Sequence, residues 1–142
     1  MSHTNAGALI YSRNTGRFLF LLRNADKKYK GTWGLVGGRL ETGERPIEGL
    51  WREIREEVGV ELSDCKSIPI ETFTSVDAAF IYHTFVVVVD DEFIPILNSE
   101  HRGYTWVELN DYPRPLHPGV FKTFTIKVIR NKIKVLQSLF LQ

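Results

Sequence analysis

The sequence predicts an α+β fold, and three observations predict it. Apolar runs of strand type recur at residues 6–11, 18–22, 67–74 and 79–89. Residues 46–58 instead carry apolar side chains at helical spacing, and residues 121–140 do so again near the end of the chain. At 142 residues the chain is long enough to enclose one hydrophobic core, so 1–142 is expected to form a single domain.

The elements follow in order. Residues 6–11 (AGALIY) and 18–22 (FLFLL) are strands joined by the turn-forming SRNTGR, which predicts a hairpin. Residues 24–31 are polar and lysine-rich, hence a loop. Trp33-Gly34-Leu35-Val36-Gly37-Gly38 is a short apolar segment ending in two glycines, which let a backbone approach a ligand closely. The helix begins near Pro46, a residue suited to the first turn, and ends before Gly59, the left-handed residue past its last turn. Residues 67–74 and 79–89 are strands, and Asp90-Asp91-Glu92 is an acidic turn. A short strand is expected at 94–97 and another at 104–109, before a proline-rich connection at 111–118. In the tail, Phe121, Phe124, Val128, Ile129, Ile133, Leu136 and Phe140 form an apolar face. Lys122, Lys127, Arg130, Lys132 and Lys134 form a basic one.

Within the first helix Ile47, Leu50, Trp51, Ile54 and Val58 make an apolar stripe. Glu53, Glu56 and Glu57 lie beside it at i, i+3 and i+4, neighbours on one face. Carboxylates crowded this way repel by a few tenths of about 1 kcal/mol per pair, a cost that a hard divalent cation removes. The stripe anchors the helix, so packing sets where such an ion would sit.

Composition excludes several classes. Net charge is +1, so no global field favours nucleic acid or a membrane surface. The longest apolar run, 85–89, is far too short to span a bilayer. The N-terminal MSHTNAG has neither a basic start nor an apolar core, so no secretory signal is expected. Cys65 has no second cysteine to pair with, which agrees with a reducing, cytoplasmic setting.

The spacing of Gly38, Glu44 and then Arg52-Glu53-Ile54-Arg55-Glu56-Glu57-Val58-Gly59-Val60 resembles the signature of the Nudix hydrolase superfamily, of the MutT-like nucleoside diphosphate-X pyrophosphohydrolases. The lead-in at 33–38 is similar to the family's too, with Val36 where many members have proline. The resemblance implies a Nudix fold: an α/β/α sandwich around a mixed β-sheet, with the motif as a loop–helix–loop. It also implies hydrolysis of a phosphoanhydride bond in a nucleotide-type small molecule, with Mg²⁺ (or Mn²⁺) held by Glu53, Glu56, Glu57 and the Gly37 carbonyl. Arg52 would orient the glutamates, and Glu44 would serve as a supporting or helix-start residue.

Glu100, just before the 104–109 strand, is the first candidate for the general base, with His101 ranked below it. Arg23 is a candidate phosphate contact, and Gly37 and Gly38 would border the substrate. Trp33, Phe73, Phe80 and Tyr82 are candidate faces for a nucleobase, in competition with a core role. Residues 75–78 hold neither the proline nor the tyrosine that marks some subgroups, which tilts the expectation toward a nucleoside triphosphate. The alternatives are a GDP-mannose-type nucleotide sugar and a non-catalytic nucleotide-sensing module. The second is weakened by the presence of all three glutamates. RNA is disfavoured as a partner by the near-neutral charge. Many members dimerise, so a homodimer is a further expectation, although no segment declares an interface.

Overall fold

The computed structural model describes residues 3–24 and 28–140. Seven strands form one mixed sheet: β1 (His3–Ser12), β2 (Phe18–Arg23), β3 (Trp33–Gly34), β4 (Val36–Arg39), β5 (Lys66–Thr74), β6 (Phe80–Val89) and β7 (His101–Val107). Their order is β3-β2-β1-β6-β5, with β4 paired to β1 and β7 to β2. β1 and β6 run parallel, from His3↔Phe80 to Ser12↔Val89, and the other pairs are antiparallel.

Side chains alternate across β1 and so build two cores. Ala6, Ala8 and Ile10, with Leu19, Leu21, Val87 and Val89, meet α1 (Pro46–Val58) through Leu50, Ile54 and Val58. Leu9 and Tyr11, with Phe18, Phe20, Val86 and Val88, meet α2 (Pro118–Thr125) and α3 (Lys127–Phe140) through Val120, Phe124, Ile129 and Ile133. Helices thus cover both faces, the expected α/β/α sandwich. Ile54 is fully buried among these side chains. Ile54→Ala is expected to cost about 2–5 kcal/mol of unfolding free energy by urea denaturation, which would detach the glutamate-bearing helix from its seat.

Several boundaries differ from expectation. The predicted hairpin pairs only beside its turn, at Tyr11↔Phe18. The first half of β1 pairs with β4 instead, and β2 pairs along its length with β7. Residues 94–97 form no strand. Pro95 has no N–H to give a ladder, and the Ile96 N–H goes to the Val58 carbonyl, so the segment closes off the C-terminal end of α1. The strand expected at 104–109 begins at His101 and ends at Val107, because β2 supplies partners from Arg23↔His101 to Phe18↔Val107. Leu109–Asp111 then forms a 3-10 turn.

The tail is two helices, broken at Ile126, whose ψ of 112° is extended. The Thr125 hydroxyl donates to the Lys122 carbonyl at 2.8 Å and the Thr123 hydroxyl to Glu71 at 3.0 Å. The Thr125 bond to backbone competes with helix continuation, whereas the Thr123 bond ties α2 to β5. The basic face is partly tied down as well: Lys132 donates to the Ile70 carbonyl and Arg130 to Asn110. Part of the polar loop expected at 24–31, residues 25–27, lies outside the described residues.

Candidate active site

The lead-in segment and α1 are locked together by their smallest residues. A Cβ on Gly37 would collide with the Ala6 carbonyl, so glycine is what lets β4 lie this close to β1. A Cβ on Gly38 would lie 2.6 Å from the Glu53 carboxyl carbon. Glu53 therefore fills the space that a side chain at position 38 would take. The Gly37 N–H donates to Glu57 Oε1 at 2.9 Å. At its far end α1 stops where Gly59 adopts φ 73° and ψ 20°, and the Gly59 N–H donates to the Arg55 carbonyl.

The three glutamates do not share one environment. Glu57 is 3% exposed and Glu53 9%, whereas the Glu56 side chain is 53% exposed. Burial, above all, pushes the Glu57 carboxyl well above the usual range. Its bond from the Gly37 N–H opposes this, while the negative charges of Glu53 and Glu100 and a side-chain hydrogen bond with Glu100 add to it. Glu53 is raised too, first by burial, with Arg52 opposing. Glu100, just before β7, thus lies near Glu53 and Glu57. Among the described residues no three acid, histidine or cysteine side chains already enclose a point suited to a cation. Glu56 faces Arg52 and solvent.

Arg52 is the hub. Its Nε and Nη2 donate to the two Glu44 oxygens at 2.8 and 2.9 Å, a bidentate pair. Nη1 donates to Glu53 at 2.9 Å and lies 3.4 Å from Glu56, and Nη2 also reaches the Arg39 carbonyl at 3.1 Å. The Arg52 side chain is only 17% exposed, so this is more than an ordinary surface ion pair. Glu44 in turn accepts from the Glu41 N–H at 2.7 Å, which fastens the loop ahead of α1. The Arg52 side-chain bond, foremost, holds the Glu44 carboxyl down at about 2. An unfolded glutamate titrates near 4.3, so the stability this pair contributes is complete above that pH and is lost as pH falls toward 2. Glu44→Gln is expected to flatten the acid side of the thermal-stability profile in that window, measured by melting at stepped pH.

The remaining expected site residues sit farther along the sheet. Arg23, past a bulge at the end of β2, donates from Nε to the Lys28 carbonyl at 2.8 Å. Trp33 is partly buried against the α2 and α3 core. Its carbonyl accepts from the His117 N–H and its own N–H donates to Pro115, so it is a packing residue that joins β3 to the start of α2. Two further residues lie nearby: Tyr82, a candidate nucleobase face, and His117, which sequence reasoning did not single out. Tyr82 lies across β1, and its hydroxyl takes the place of a side chain at Gly7. His117 precedes α2 and accepts from the Gly119 N–H through Nδ1 at 3.0 Å, with its ring edge-on to Tyr29. Burial, then Arg23 and Lys28, hold His117 below its ordinary value. Only the tertiary fold joins these residues.

A mixed sheet thus lies between helices, with a glycine pair seated under helix glutamates and an arginine at their hub. The NUDIX domain family model matches residues 1–125, and the chain belongs to the Nudix family. It is 38% identical over 129 residues to the nucleoside triphosphatase NudI of Escherichia coli O17:K52:H18, covering 81% of this chain and 90% of that one. It is 34% identical to the dihydroneopterin triphosphate diphosphatase of Haemophilus influenzae, covering 70% of each. Among solved structures, the MutT protein of Methanosarcina mazei Go1 superposes with a TM-score of 0.72 at 25% identity. That match covers 92% of this chain and 95% of the other. The chain is accordingly a hydrolase acting on acid anhydrides of phosphorus.

Proposed function

We propose that the protein is a Mg²⁺-dependent pyrophosphohydrolase, with Mn²⁺ as a substitute, whose substrate is a nucleoside triphosphate or a close heterocyclic triphosphate. The observation that carries this reading is the gathering of two buried carboxylates, Glu53 and Glu57, with Glu100 against the glycine pair. Buried acids raised by desolvation and by one another are poor as an empty site and good as a cation site. The donors are all carboxylate or carbonyl oxygen, which suits a hard ion. Glu53, Glu56, Glu57 and the Gly37 carbonyl would hold it, Glu56 being the least constrained of the carboxylates. When bound, the ion neutralises phosphate charge and polarises phosphorus toward attack.

The chain's own groups supply the rest. Arg52 fixes Glu53 and limits the swing of Glu56. Glu100, which meets Glu57, would take a proton from the attacking water. Arg23, at the end of β2, would meet the phosphate chain. Gly37 and Gly38, against which the Glu57 and Glu53 carboxylates lie, would border the substrate. The whole of 1–142 would act as one domain, since α3, which lies beyond the family match, completes the second core. The triphosphate preference draws on the relatives named as nucleoside triphosphatase and dihydroneopterin triphosphate diphosphatase. A cytoplasmic site of action fits the lone cysteine and the nucleotide chemistry.

The test is a panel of nucleoside triphosphates and nucleotide sugars incubated with Mg²⁺ and resolved by chromatography. Turnover of one or more triphosphates is expected; none with either metal would sink the enzyme reading. Glu100→Gln is expected to lower kcat about 10²–10⁴-fold with KM little changed. An unchanged rate removes Glu100 as the base.

A further inference from the structure

The near-neutral total charge conceals a division along the chain. Residues 112–142 hold six Lys and Arg and no Asp or Glu, a net +6. Residues 1–111 hold 12 Lys and Arg against 17 Asp and Glu, a net −5. Most of the basic part is α2 and α3, the layer that covers one face of the sheet. Glu71 of β5 reaches this layer and is held there by the Thr123 hydroxyl. The glutamate-bearing helix α1 covers the opposite face.

Helix α3 also carries two apolar stripes where packing uses one. Ile129 and Ile133 are buried in the second core. Val128, Val135 and Leu139 are instead 63, 58 and 61% exposed. At roughly 100° per residue these three fall in a band about 40° wide, well clear of the buried stripe. Lys132, which donates to the Ile70 carbonyl, borders the band on one side. Lys127 and Lys134 lie on the other, past Asn131 and Ser138. Phe121 of α2 and Ile126 just after it are exposed as well. Apolar side chains aligned in water are a cost unless something covers them.

We propose that α3, through the Val128–Val135–Leu139 ridge and the lysines beside it, docks the protein on an anionic lipid surface. The charge and the ridge together select the occupant. A second copy would bring two net +6 layers face to face, and these repel. RNA would use the lysines but not the aliphatic ridge, because bases stack on aromatic rings. An acidic peptide docks in a groove, and this stripe is a ridge on the outer side of a helix. A fluid bilayer moulds to a ridge. The aliphatic groups enter the headgroup boundary, and the lysines meet anionic lipid. Among the described residues no helix is long and apolar enough to cross a membrane, so the docking is peripheral. Helix α1, across the sheet, stays clear of the bilayer, and its glutamates remain open to a dissolved substrate.

The experiment is flotation of the full chain with vesicles of phosphatidylcholine alone and of phosphatidylcholine mixed with phosphatidylglycerol. Binding to the mixed vesicles only is expected, weakening as salt is raised. Lys127→Gln combined with Lys134→Gln is expected to weaken it about tenfold or more. Val135→Ser combined with Leu139→Ser is expected to weaken it about tenfold, with the melting temperature unchanged because both side chains already face water. No binding to the mixed vesicles, or equal binding to both kinds, overturns the proposal. Serine variants that bind as wild type overturn the insertion of the ridge and with it the lipid assignment. Capture of polyuridylate or polyglutamate in place of the mixed vesicles assigns the layer to RNA or to an acidic protein, and also overturns it. None of these readouts depends on hydrolysis, so the docking surface and the hydrolase reading stand or fall separately.

Discussion

Glu56→Gln is expected to abolish hydrolysis while leaving the melting temperature nearly unchanged. The side chain is half exposed and its contacts to Arg52 are long, at 3.4 Å, so the fold owes it little. As a cation ligand at the reacting phosphate it would carry much of the rate, and a loss of at least about 10²–10³-fold in kcat is expected. Retained activity would remove Glu56 from the site.

Glu57→Gln also separates function from stability, for a different physical reason. The folded carboxyl is raised above its unfolded value, chiefly by burial. The metal-free protein therefore loses stability from this group as pH rises above about 4.3. The amide still accepts the Gly37 N–H and carries no charge to bury. Glu57→Gln is thus expected to lose activity and to melt no lower than wild type at neutral pH without metal. A clear fall in melting temperature would show that the carboxylate is needed for the fold itself.

Gly38→Ala is the second large effect. A methyl at this position lies 2.6–2.8 Å from the Glu53 carboxyl atoms, so Glu53 must move or the strand must shift. Displacing a positioned catalytic group by about 1 Å costs roughly 10²-fold in rate, and kcat is expected to fall by about that amount. The circular dichroism spectrum should stay that of the wild type, because the glutamate's far end can give way. Gly37→Ala should behave differently. Its methyl would strike the Ala6 carbonyl of the central strand, which cannot yield, so loss of folded protein is expected before loss of rate. If Gly38→Ala kept full activity, Glu53 would not be the positioned carboxylate proposed above.

Much of this was legible in the sequence because it is local. The i, i+3, i+4 spacing places Glu53, Glu56 and Glu57 on one side of any helix, and Pro46 and Gly59 mark its ends. The chain does form that helix over Pro46–Val58. The strands at 67–74 and 79–89 were legible for the same reason. Their β-branched and aromatic runs suit a pleated surface wherever they pair. Residues 94–97 and the tail misled because apolar spacing does not reveal where backbone donors go. Pro95, and the Ile96 N–H spent on Val58, replaced a strand with a helix seal. An extended Ile126 divides the tail into α2 and α3, which apolar spacing alone does not reveal.

By itself, then, the sequence determined the helix, its carboxylate face, the glycines beside it and the reaction class their spacing resembles. Those features rest on backbone periodicity and on residues a few positions apart. Tertiary structure alone decided that Glu53 and Glu57 are buried while Glu56 is not, and that Arg52 grips Glu44 as well as Glu53. It alone brought Glu100, 43 residues beyond Glu57, against the same acids, and laid Tyr82 across Gly7. Burial and long-range contact depend on how the sheet is ordered, and the pairing of β1 with β4 on one side and β6 on the other joins segments far apart in the chain.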